Sequence, residues 1–217
     1  MKYFTQEFIL FFGELEENNT KEWFHANKKR YEAHVKKPMV TLVTDAVQAL
    51  QELDHDIVID PKKCIGRINR DIRFSADKTP YKIHSFAHIS KGEKADPLPA
   101  IAFQMGAKDF GIMSGFYNPP KERLKDIRAN ILRDPAKFRE LYSHPDFADK
   151  YGTIKGEAIK RIPSEYKECF DTEPLITNKQ FYYVREFTSD ILLTDELLPT
   201  IIDYWQAARP MNAFLSE

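Results

Sequence analysis

The chain is poor in the features that would assign it to a disulfide scaffold, a membrane or a polyanion by composition alone. Only two cysteines, Cys64 and Cys169, occur in 217 residues. That is too few for a disulfide framework, and a reduced, cytoplasmic protein is the default expectation. No apolar run approaches the length of a membrane span, so no membrane partner is expected. The apolar start MKYFTQEFILFF is interrupted by Gln6 and Glu7 and has no small-residue cleavage site after it; it reads as an amphipathic helix. Charge of one sign is missing too. With 32 basic and 33 acidic residues the net charge is −1, so there is no global field to draw in nucleic acid, and any such attraction must be local. Gly-rich phosphate loops, dinucleotide fingerprints, nucleophile elbows and HExxH motifs are absent. The histidines are scattered. His84 and His88 share a strand-like pattern in which their Cβ atoms stand about 13 Å apart, too far for one metal. No metal and no cofactor is expected.

What is present is a core. Hydrophobic residues make up 42% and aromatic residues 13% of the chain, enough for one domain over residues 1–217. Phe8, Phe11, Phe12 and Leu15 keep helical spacing over 5–17. Asn19 and Glu22 have the spacing of a capping box, which predicts a second helix to about Val35. Pro38 suits the first turn of a third helix, with Leu42, Val43, Ala46, Val47 and Leu50 inward. Short strands are predicted at 57–60 and 64–74, and a longer one at 81–89. The polar stretch 90–99 reads as a loop, and Ile101–Met105 and Phe110–Tyr117 as a hairpin. Helices follow Pro120 and Pro135, a helical turn is expected near 163–169, a strand over 180–188, and a last helix over 194–208 that Arg209-Pro210 should break. Strands that follow one another through short turns, with helices at both ends, predict an α+β fold. Its central sheet is mostly antiparallel, with helices from both chain ends packed on it.

The chemistry is concentrated in Arg67 to Lys82, RINRDIRFSADKTPYK. From Lys62 to Lys82 there are seven basic residues against two acidic ones. Read as a strand, 65–74 puts Ile68, Arg70, Ile72 and Phe74 on an inward face and Arg67, Asn69, Asp71 and Arg73 on the other. A half-buried Arg70 needs a partner, and Asp77, Glu32 or a bound anion would serve. Arg67 and Arg73 stand roughly 20 Å apart on strand geometry, so the candidate site contracts to Arg73 and the turn Ser75, Asp77, Lys78, Thr79 and Tyr81, with Lys82 beside it. Turn amides can cradle an anion, Arg grips phosphate or carboxylate through a fork, and Lys adds a point charge. Asn27, between Trp23 and Tyr31 on one helical stripe, is expected to hold that turn. Asp71 and His84 are the candidate bases should there be catalysis. Cys64 would gain thiolate character from Arg67 and Lys63. Gly111, Met113, Gly115 and Tyr117 share a strand face whose two glycines leave space for a helix, a ring or a ligand, tight packing by a helix being the leading expectation.

The segment KCIGRINRDIRFSADKTPYK resembles the signature of a widespread bacterial and fungal family of uncharacterised proteins. NNTKEWFHANKKRYEAHVKKP, FQMG, GIMSGFYNPPKERLKDIRANI and PMNAFL extend the resemblance over nearly the whole chain. It implies a single domain and brings no activity with it. It adds weight to Arg67, Arg70, Asp71, Arg73, Phe74, Asp77, Lys78, Pro80, Tyr81 and Lys82. The leading expectation is a site for a phosphorylated or carboxylated small molecule, enzymatic or not. The alternatives are a nucleic-acid or protein interaction module on the same basic patch, with Phe74, Tyr81 and Phe86 for stacking, and a purely structural Arg–Asp brace.

Overall fold

The computed structural model describes residues 1–91 and 98–217. At its centre is a four-stranded antiparallel meander in the order β1-β2-β3-β4: β1 His84–Lys91, β2 Leu98–Gly106, β3 Asp109–Phe116 and β4 Phe181–Thr188. The alternation predicted for 101–105 and 110–117 produces the β2–β3 hairpin, in register Ala102↔Met113 to Met105↔Phe110. The polar loop expected over 90–99 falls mainly on residues outside those described.

One face of the sheet is the core face. Ser85, Ala87 and Ile89 of β1, Phe103 and Met105 of β2, Phe110, Ile112 and Ser114 of β3 and Phe181 and Tyr183 of β4 are all buried. Helices from both chain ends cover that face. From the N-terminal end come α1 Gln6–Glu17, α2 Lys21–Ala26, α3 Lys28–Tyr31 and α4 Lys37–Leu53, followed by the short α5 Pro61–Cys64. After β3 come α6 Lys121–Arg133, α7 Pro135–Ser143, α8 Pro145–Tyr151 and the short α9 Lys167–Phe170; α10 Leu197–Ser216 closes the chain. Each apolar stripe read from the sequence is buried: Phe8, Phe11, Phe12 and Leu15 on α1, and Leu42, Val43, Ala46, Val47 and Leu50 on α4. A polar network fixes α10 on the sheet. Asn212 donates through Nδ2 to Ser114 Oγ at 2.8 Å and accepts from the Tyr183 hydroxyl. All three are buried, and such a network specifies one register because any other leaves its members unpaired.

Several expectations are corrected. Thr20, not Asn19, caps α2, its hydroxyl accepting from Trp23 N at 3.2 Å; Asn19 is used elsewhere. The helix begun at Lys28 does not stop before Pro38. It passes through a π turn at Glu32–Lys36 directly into α4. Pro38 has no N–H for the carbonyl one turn back, and the wider turn makes room for its ring. Pro210 does not end α10 either, which runs on to Ser216. Met211, Phe214 and Leu215 beyond it are buried, and that burial outweighs one lost backbone bond. No strand forms at 57–60 or 64–74. Ile65 and Asn69 make only single bridges, to Ala87 and Tyr81. Pro80 interrupts the partner strand, and the polar side chains between bond to one another, so the backbone closes into a loop.

Candidate functional site

The loop begins where Ile68 and Arg70 meet Pro80 and Lys82. Lys82 N donates to Ile68 O at 2.8 Å and Arg70 N to Pro80 O at 2.9 Å, which closes 70–80 at its base. Asn19 then fastens that base to the helical layer. Its Nδ2 donates to Tyr81 O at 2.9 Å and its Oδ1 accepts from Tyr81 N at 3.1 Å. This is the clasp expected of Asn27, whose amide instead donates to Trp23 O within its own helix. The Tyr81 ring is buried against Phe24, stacked at 4.1 Å with 17° between planes. It is therefore turned away from any surface ligand.

Inside the loop the charges are ordered. Arg70, half-buried as expected, donates to Asp77, to the Thr79 hydroxyl and carbonyl, and to Ser75 Oγ at 3.4 Å. Asp77 also accepts from Thr79 N at 2.9 Å and from the Thr79 hydroxyl at 3.0 Å. That amide, then the Arg70 guanidinium, hold the Asp77 carboxyl below its ordinary range. Arg73 forks onto Asp71, Nε to Oδ1 at 2.9 Å and Nη2 to Oδ2 at 2.6 Å. The Arg73 guanidinium holds the Asp71 carboxyl low, which makes Asp71 a poor proton acceptor. Lys78 Nζ donates to Ile72 O at 2.9 Å. Both carboxylates of the segment are thus occupied. Lys62, Lys63, Arg67, Lys78 and Lys82 have no carboxylate within ion-pair distance among the described residues; the nearest attraction for Arg67 is longer-range, to Asp71.

Phe74 is the main surprise. The strand reading puts it inward, yet it is 97% exposed, with the Arg73 guanidinium 5.9 Å from its ring centre. A loop tied at its base and braced across its middle holds this ring out in water. Apolar rings are seldom left so bare without a use. Neither the groove nor the hollow described below includes a residue from Arg67 to Lys82.

His84 follows the loop on β1. It borders a small hollow of about 160 Å³ with Glu16, Lys108 and Asp109. Desolvation, then Lys82, push its pKa down, so its imidazole is neutral at pH 7. Burial, then Asp60, push the Cys64 thiol up to about 11, which removes the thiolate character expected from its cationic neighbours. No group of three or more His, Cys, Asp or Glu side chains among the described residues could hold a metal ion.

The second concavity is on the face of the sheet opposite the core. Of the Gly111, Met113, Gly115 and Tyr117 face, for which a packed helix is the leading expectation, Met113, Gly115 and Tyr117 border a groove of about 550 Å³. The sequence signal for it is Gly115, whose missing side chain leaves space; nothing local says whether a helix fills that space.

A family model described as a conserved hypothetical protein, DUF2461, matches residues 7–214. The chain belongs to that family. No curated protein and no solved structure gives a match.

Proposed function

We propose that this family member is a binding domain whose braced loop docks onto a phosphate-bearing partner, and that single-stranded nucleic acid is the class the loop fits best. The observation that carries the reading is the combination of a 97%-exposed Phe74 with five cations that have no carboxylate within ion-pair distance among the described residues. Lys and Arg in that state attract phosphates and release counterions when they bind them. An exposed ring offers a base a stacking face of any sequence. That the ring and the cations border neither of the two described cavities favours a partner that lies across the surface over a small anion enclosed on all sides. The Arg70–Asp77–Thr79 brace and the Asn19 clasp serve as framework, which gives the Arg–Asp pairs a structural role beneath the binding one.

The small-anion reading keeps one observation in its favour. The Arg73–Asp71 pair is exposed on both sides, and such pairs are weak enough for a phosphate to displace. A labelled oligonucleotide in a retardation assay at low salt separates the outcomes. Retardation by the wild type that weakens about 5- to 150-fold in Phe74→Ala, the loss of one base stack of about 1–3 kcal/mol, supports the docking reading. Retardation abolished by millimolar inorganic phosphate at unchanged ionic strength favours the small anion. No retardation at low salt refutes the nucleic-acid assignment.

A further inference from the structure

The open face of the sheet contains a second site, and its chemistry is opposite to that of the loop. The strand registers place His88, Ala102, Met113 and Val184 in one row across all four strands. Ala102 is the low point of that row, between the longer His88 and Met113. One step along, Gly115 lies beside Tyr182, and its position admits no side chain: at φ +83° an added Cβ would stand 2.3 Å from the Phe181 carbonyl oxygen. The floor is therefore low by construction. Phe86 borders it on β1, and Tyr182 on β4 carries Tyr117 edge-on at 5.0 Å and 74°. Asn118 and Pro119-Pro120 close the end.

Three features define the occupant. Among the described residues that border the groove none is Asp, Glu, Lys or Arg, so an ion entering it would lose hydration and gain no counter-charge from them. The volume of about 550 Å³ is that of a site for a ligand of drug-like size. The polar groups at its edge, the His88 imidazole and the Asn118 amide, are single hydrogen-bonding handles of the kind that orient a mostly apolar ligand. Desolvation pushes the His88 pKa down, so at neutral pH this handle is uncharged as well. A second copy of the chain fits less well. The next row of the sheet, Phe86, Gln104, Gly111 and Glu186, turns polar and then charged. That ends the apolar area on this side of the groove, whereas a stable dimer interface needs about 800 Å² per partner.

We propose that this groove binds a small, uncharged, largely apolar molecule, with flat or ring-bearing ligands favoured by the Phe86, Tyr117 and Tyr182 rings. The inference does not rest on the loop reading, since the two sites differ in charge, shape and location.

A neutral solvatochromic dye, Nile red, is the probe. Its emission should rise saturably on titration with the wild-type protein and at least tenfold more weakly with Ala102→Trp, which fills the low point from the open face. The melting temperature should stay near the wild-type value, and Phe74→Ala should bind the dye as the wild type does. Met113→Trp, in the same row, replaces Ala102→Trp if that variant does not fold. A wild type that gives no saturable emission, or a folded filled-groove variant that binds equally well, overturns the proposal. So does sedimentation showing a wild-type dimer that Ala102→Trp converts to monomer, because the groove would then be a self-association surface.

Discussion

Replacing Asn19 by Ala isolates the clasp that ties the loop to the helical layer. Two neutral hydrogen bonds are lost, at 2.9 and 3.1 Å, both to the Tyr81 peptide. Each is worth about 1 kcal/mol net, and orphaning a buried group adds to that; Tyr81 is 5% exposed. The expected loss is about 2–3 kcal/mol. For a chain of this size that lowers the melting temperature by about 4–12 °C. Calorimetry measures the shift, and amide exchange at Tyr81 reports the clasp directly through lost protection. Two controls sharpen the result. Asn27→Ala removes only a bond within its own helix, and Phe74→Ala removes a ring that packs on little, so both should stay within about 0.5 kcal/mol of wild type. An Asn19→Ala protein as stable as the wild type, with Tyr81 still protected, would show that the loop is held by something other than this side chain.

Acid should weaken the fold in two steps. The His84 and His88 pKa values lie below the ordinary 6.5, so the unfolded chain binds protons first as pH falls below about 6.5, and stability begins to drop there. The Asp71 and Asp77 carboxyls, held below 3.8 by Arg73 and by Thr79 with Arg70, add a second loss as pH falls below that value; melting curves of wild type and His84→Gln/His88→Gln should differ only in the first step. Gly115→Ala must accept a left-handed φ of +83° and a Cβ 2.3 Å from a backbone oxygen, a loss of about 2–5 kcal/mol by urea denaturation. Pro210→Ala should raise stability by about 2 kcal/mol: the position is exposed within α10, and Ala restores a helical N–H at a small cost in unfolded-state entropy.

The sequence revealed burial more readily than backbone course. Apolar periodicity located α1, α4, the β2–β3 hairpin and β4 because each buries one face against a partner. It misled at 64–74, where Ile68, Arg70, Ile72 and Phe74 alternate as a strand should. A strand also needs a continuous neighbour, and Pro80 breaks that neighbour's hydrogen bonding. Alternation cannot register a missing partner, so Phe74 was assigned inward although it points out. Pro210 misled in the opposite direction: its helix-breaking tendency is local, and the burial of Met211, Phe214 and Leu215 that overrides it is tertiary. At the candidate site, the Arg70–Asp77 pairing was legible because a half-buried guanidinium demands an acid and Asp77 is the nearest beyond the turn. Asn19 was not. Its partner Tyr81 lies 62 residues away, and its position beside a helix start already offered a sufficient local explanation. The groove was half legible: Gly115 signalled space on that face, while its contents depend on where the helices pack.

The most direct test of the loop reading is the salt dependence of oligonucleotide binding, measured by fluorescence anisotropy. If Lys62, Lys63, Arg67, Lys78 and Lys82 meet phosphates, log K should fall with log salt at a slope of about −3.5, or about −0.7 per single-strand phosphate contact. Arg67→Ala/Lys82→Ala should flatten that slope by about 1.4 without lowering the melting temperature. A wild-type slope near zero, or one that the double variant leaves unchanged, would contradict it.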